Sequence, residues 1–79
     1  MIRVTYDESA NAVMIYLDGD IQTGGVGFMY PCDPVDVGGM INLDFDEDSR
    51  LVGIEVLDAR SKLPSSVLAD AERIDRRRR

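Results

Sequence analysis

Seventy-nine residues make one domain, and at that size only about 60–65% of the unfolded chain's surface can be buried, so stability is marginal. The chain has no His, no Trp and a single cysteine, Cys32, which excludes Ser/His/Asp and Cys/His catalysis, metal sites built on His or paired Cys, and any intramolecular disulfide. The net charge of −6 is split: residues 1–72 carry 14 acids against 4 bases, whereas residues 73–79, RIDRRRR, carry 5 Arg against 1 Asp. An acidic body repels phosphate, so nucleic-acid binding by the folded part is not expected.

The first element is a hairpin. Ile2, Val4 and Tyr6 alternate with Arg3, Thr5 and Asp7, and Val13, Ile15 and Leu17 follow after a polar turn. Period-2 alternation on both sides of a polar break predicts two half-buried antiparallel strands. No basic segment with an apolar core opens the chain, and no apolar run approaches the roughly 18 residues that cross a membrane. With one unpaired cysteine, these features predict a cytoplasmic protein.

Residues 18–39 are irregular and hold six of the seven glycines and two of the three prolines. Val26, Phe28 and Tyr30 alternate with Gly27 and Met29, which is consistent with a short extra strand closed by Pro31. Gly24-Gly25-Val26-Gly27 opens no helix and is a poor phosphate cradle.

Residues 40–57, MINLDFDEDSRLVGIEVL, read as a second hairpin, and it repeats the first. Slid forward by 39 positions, residues 2–17 fall on 41–56: Ile2, Val4 and Tyr6 land on Ile41, Leu43 and Phe45, Asp7-Glu8 on Asp46-Glu47, and Val13, Ile15 and Leu17 on Val52, Ile54 and Val56. The twelve apolar side chains are predicted to share one face. The other face holds Arg3, Thr5, Asn42, Asp44 and Glu55 and is predicted to be wet. Ala12, Met14 and Tyr16 interrupt it as an apolar patch, which makes them candidate interface residues. Asn11 is placed to adopt a left-handed conformation at the end of the first turn, and Arg50 occupies the matching place in the second.

After Leu57, Asp58–Lys62 reads as a connector. Leu63, Val67, Leu68, Ala71 and Ile74 then follow helical spacing, which predicts one helix over about 64–75 with Pro64 in its first turn. The arginine run 76–79 is expected to be a disordered basic tail behind a single domain of residues 1–75. The resulting fold class is α+β: an antiparallel sheet of two similar hairpins, four or five strands in all, with one C-terminal helix on the apolar face.

Asp44, Asp46, Asp48 and Glu55 imitate part of a calcium loop, yet Ser49 stands where the sharp turn needs Gly and the flanks are strands. No tight calcium site is expected. A weak cation site or an enzyme built on Asp44, Asp46 and Glu55 is a third-ranked reading. Asp46-Glu47 and Asp7-Glu8 read as turns in which Asp accepts backbone N–H bonds.

Tyr6-Asp7, Ala12, Ile15-Tyr16-Leu17, Leu43-Asp44-Phe45-Asp46, Asp48 and above all Val52-Gly53-Ile54-Glu55-Val56-Leu57 resemble the small bacterial and archaeal proteins of domain of unknown function 2283, over about residues 1–60. Ser49 replaces the Gly usual in that family's second turn, and residues 18–39 are longer than its usual connector. The resemblance implies no activity, and, with no cofactor loop in the sequence, no cofactor is expected. Members lie beside small toxin-like proteins, so by analogy it implies an antitoxin-like or other protein-binding role. The expectation is therefore a non-enzymatic interaction module with a small basic protein as partner. Homodimerisation is also expected, through an edge strand or the Ala12, Met14, Tyr16 patch, because a core this small gains from association. A homo-oligomeric structural domain with no other ligand is the second-ranked reading.

Overall fold

A computed structural model describes residues 2–17 and 26–75. Its strands are β1 (Arg3–Asp7), β2 (Ala12–Tyr16), β3 (Phe28–Pro31), β4 (Ile41–Phe45), β5 (Leu51–Leu57) and β6 (Glu72–Arg73). Three short helices join them: α1 (Pro34–Val37), α2 (Ala59–Lys62) and α3 (Ser65–Asp70). The strands form one sheet in the order β3-β4-β5-β2-β1-β6. All pairings are antiparallel except β1 with β6. The fold is α+β as expected, but the sheet is mixed and has six strands, and three short helices replace the single one.

Both predicted hairpins form, and they meet through their second strands. Ile15 faces Ile54 across β2 and β5, and position 15 slid by 39 is position 54. The sequence repeat is therefore a quasi-two-fold rotation about an axis through this pair, perpendicular to the sheet. The apolar face consists of three rows related by that axis. Tyr6, Val13, Val56 and Ile41 form one outer row, and Val4, Ile15, Ile54 and Leu43 form the central row. Ile2, Leu17, Val52 and Phe45 are the rotated equivalents of the first row.

The C-terminal segment does not run on as a helix. Asp58 turns the chain with φ 55°, α2 follows, and α3 ends where Ala71 becomes extended with ψ 151°. That break lets Glu72 and Arg73 pair with Thr5 and Tyr6. Parallel pairing at β1 occupies backbone groups that a continued helix would leave at a bare edge. Ile74, expected on the helix's apolar side, is exposed instead. Pro64 caps α3 from outside rather than entering it. α1, unforeseen in the irregular stretch, has its start specified locally: Asp33 accepts from the Val35 N–H at 2.9 Å, Pro34 takes the first helical position, and Gly38 closes it at φ 67°. The extra strand forms as β3, while residues 18–25 and the arginine tail lie outside the described residues.

The core occupies one row, not the whole face. Tyr6, Val13 and Val56 are 4%, 1% and 2% exposed and pack with Ala59 and Ala71, with Leu63 and Leu68 against them. Val4, Ile15, Ile41 and Ile54 support this cluster. Equivalent positions should therefore respond unequally to truncation. Val13→Ala should destabilise by about 2–3 kcal/mol, because the cavity lies beneath the helices, whereas Val52→Ala should cost less than about 1 kcal/mol. Urea denaturation of the two variants checks this, and equal losses would show that both halves are covered.

Candidate interaction surface

The half-covered face follows from how the two hairpin turns use their side chains. In the first turn Asn11 adopts φ 54°, as its place predicted, and reaches outward. Its amide donates to Asp58 at 3.0 Å, its side-chain oxygen accepts from the Arg60 N–H at 2.9 Å, and its backbone carbonyl accepts from the Ala59 N–H at 2.9 Å. Nearby, Arg73 donates to Glu8 at 2.8 Å, lies 5.5 Å from the Tyr6 ring centroid, and bonds Asp75, which also accepts from the backbone and hydroxyl of Ser9. These bonds tie the C-terminal segment down over the Tyr6 row. The Arg73 guanidinium, together with Ser9, holds the Asp75 carboxyl well below the usual carboxylate range.

The second turn closes on itself. Asp46 accepts from the backbone N–H of Asp48 and Arg50, both at 2.9 Å, and Arg50 folds back onto Asp46 and Asp48. The backbone N–H of Arg50 is the main cause that lowers the Asp46 carboxyl. The left-handed residue is Ser49, with φ 64°, not Arg50, because a register shift beside Asp44 and Phe45 opposes Leu51 to Phe45 and moves the turn by one place. Among the described residues the side-chain bonds of this turn stay within the turn.

The consequence is an apolar strip. Ile2 is 62% exposed, and Leu17, Val52 and Phe45 are only half-buried. Phe28 of β3, 49% exposed, stacks on Phe45 with centroids 4.9 Å apart. Gly27 lets β3 start against the second turn, since a Cβ there would lie 2.9 Å from the Glu47 nitrogen. A cleft of about 250 Å³ lined by Asp46, Arg50, Leu51 and Val52 opens at this end.

The opposite face holds the residues that the sequence singled out. By register, Asp44, Gly53, Tyr16 and Arg3 form one row across it, and Asn42, Glu55, Met14 and Thr5 the next. Ala12, Met14 and Tyr16 do lie together there, but charges break the patch: Arg3 lies 5.5 Å from the Tyr16 ring centroid and pairs with Glu72 at 2.9 Å, and Glu55 neighbours Met14. The face is drier than predicted. Thr5, Asn42 and Asp44 are 2%, 7% and 8% exposed, because short side chains in central strands sit below longer neighbours such as Met14, Tyr16 and Glu55. Asn42 donates to Glu55 at 2.9 Å, while the Thr5 hydroxyl has no partner. Burial raises the Asp44 carboxyl, and the nearby Glu55 charge raises it further. Asp46 is taken up by its turn, so Asp44, Asp46 and Glu55 do not converge. Among the described residues no group of three or more His, Cys, Asp or Glu is placed to hold a metal ion, and no helix is long and apolar enough to cross a membrane.

The family model described as protein of unknown function DUF2283 matches residues 3–60, and the chain belongs to that family. The matched region begins with β1 and ends at Arg60, so it contains both hairpins but neither α3 nor β6. No curated protein and no solved structure matches the chain.

Asp44 provides a test of the buried polar face. Its folded pKa lies above the unfolded carboxylate value, so its ionisation opposes folding as pH rises through the folded value. Asp44→Asn should raise the Tm at neutral pH, and the gain should shrink below about pH 4, where the unfolded carboxyl is protonated as well. Thermal melts of both proteins across that range check the sign. A gain that persists undiminished in acid would locate the effect elsewhere.

Proposed function

We propose that this member of the DUF2283 family is a non-enzymatic interaction module that binds a small basic protein. The observation that carries the reading is the apolar strip along Ile2, Leu17, Val52, Phe45 and Phe28, exposed at Ile2 and Phe28 and part-buried between them, beside a body whose described residues hold 13 acids and 5 bases. Contiguous exposed apolar surface on a small domain is where a partner gains most from burial. The acidic body favours a cationic partner and speeds its encounter. The sequence has no His and a single Cys, so the reading needs no catalytic group.

Self-association is the second reading, and its edge route is the less favoured. β3 has four residues and ends in Pro31, and β6 has two; short edges and proline both limit strand addition. The Ala12, Met14, Tyr16 route would bring Arg3 and Glu55 into the contact and desolvate them.

Photocrosslinking in the native cells tests the reading. A photoreactive residue at Val52 should yield one discrete adduct with a small basic protein, and one at Asp36 on exposed α1 should not. The purified pair should sediment as a complex that weakens with added salt. An adduct with a second copy of the chain would favour the homo-oligomer. No adduct from Val52, Met14 or Tyr16 would defeat the interaction reading.

A further inference from the structure

The quasi-two-fold axis makes the covered row a template for the uncovered one. Tyr6, Val13, Val56 and Ile41 are matched by Phe45, Val52, Leu17 and Ile2, and in the sequence repeat Asp7-Glu8 is matched by Asp46-Glu47, displaced by the one-place shift of the second turn. On the covered half, the lid supplies two kinds of group. Ala59, Leu63, Leu68 and Ala71, on or beside short helices, fill the apolar row. Arg73 then bridges to Glu8 at 2.8 Å and sits over the Tyr6 ring. On the other half the acid and the ring are both present without such a lid among the described residues. Glu47 is exposed in a turn whose only cation, Arg50, is spent on Asp46 and Asp48. The Phe45–Phe28 stack offers the aromatic surface that Tyr6 offers on the covered side.

Resting on the interaction reading above, we propose that the strip along Phe45, Val52, Leu17 and Ile2 receives an amphipathic helical segment of the partner protein. The segment's small and branched aliphatic residues lie on the strip, and a Lys or Arg at its polar edge meets Glu47 beside Phe45. Charge complementarity selects this occupant over a second copy. The second turn sets Asp46, Glu47 and Asp48 against the single Arg50, so this end of the strip favours a cation, whereas a second copy brings a surface that is itself net acidic over its described residues. An arginine is favoured over lysine, because its planar cation can stack on the ring and reach the carboxylate together.

The test is a titration of the intact chain, followed by amide NMR, with a synthetic helical peptide carrying Leu and Ala on one face and Arg on the other. About 18 residues suffice to hold helix in water. A twin peptide has Glu in place of Arg. The Arg peptide should shift Leu17, Phe45, Glu47 and Val52 and leave Met14 and Tyr16 unmoved. Glu47→Lys, an exposed change outside the core, should weaken it about three- to tenfold and improve binding of the Glu twin. Shifts centred on Met14, Tyr16 and Glu55 would overturn the site while leaving an interaction module standing. Binding indifferent to Glu47→Lys would overturn the cationic contact. Concentration-dependent broadening of Phe45 and Val52 without peptide would assign the strip to a second copy. No shift up to about millimolar peptide, weaker than any useful affinity, would overturn the proposal outright.

Discussion

The facing pair Ile15 and Ile54 is the joint on which the structure depends. Each hairpin alone is a two-stranded ribbon, too small to be stable in water. Antiparallel pairing of β2 with β5 makes them one four-stranded unit and aligns their apolar residues into continuous rows. Because strand periodicity is two, a slip of one residue at this joint would turn one hairpin's apolar side chains to the opposite face. The edge strands β3 and β6 and the three helices are additions to that unit, and they are not symmetric.

The asymmetry originates in two turn positions that match in the sequence repeat, Asn11 and Arg50, although the register shift gives the left-handed place of the second turn to Ser49. Asn11 carries a short amide that both donates and accepts, and it lies within reach of the chain leaving β5, where it engages Asp58 and Arg60. Arg50 can only donate, and its nearest acceptors are the acids of its own turn. One turn therefore anchors the C-terminal segment and the other stays self-contained. The apolar row beside the anchored turn becomes core, and the row beside the other stays part-buried with Ile2 exposed, although the residue types are nearly the same.

The opposite face shows a second departure from simple patterning. Its short polar residues lie in central strands under longer side chains, so they lose water without all finding protein partners. Asn42 is satisfied by Glu55 and the Thr5 hydroxyl is not. A raised Asp44 carboxyl follows from burial rather than from catalytic geometry. On this face Asp44, Glu55 and Arg3 interrupt the apolar side chains of Met14, Tyr16 and the exposed Met29.

Both hairpins, their common apolar face and their polar turns were legible in the sequence, because alternation and turn residues are local properties. The left-handed Asn11 and the capping roles of Asp7 and Asp46 were legible for the same reason. The four-residue α1 was not, since four residues are too few for a period, although Asp33-Pro34 with Gly38 signals a capped turn in retrospect. The chain after Leu57 misled because Leu63, Val67, Leu68 and Ala71 do satisfy a helical period. What broke the helix was the vacant edge of β1, where Thr5 pairs with Glu72, 67 positions away. Likewise the twelve apolar residues are alike in sequence, and only the tertiary structure decided which became core. A side chain's burial depends on what lies over it, and what lies over these was set by long-range bonds from Glu8, Ser9 and Asn11 to the C-terminal segment.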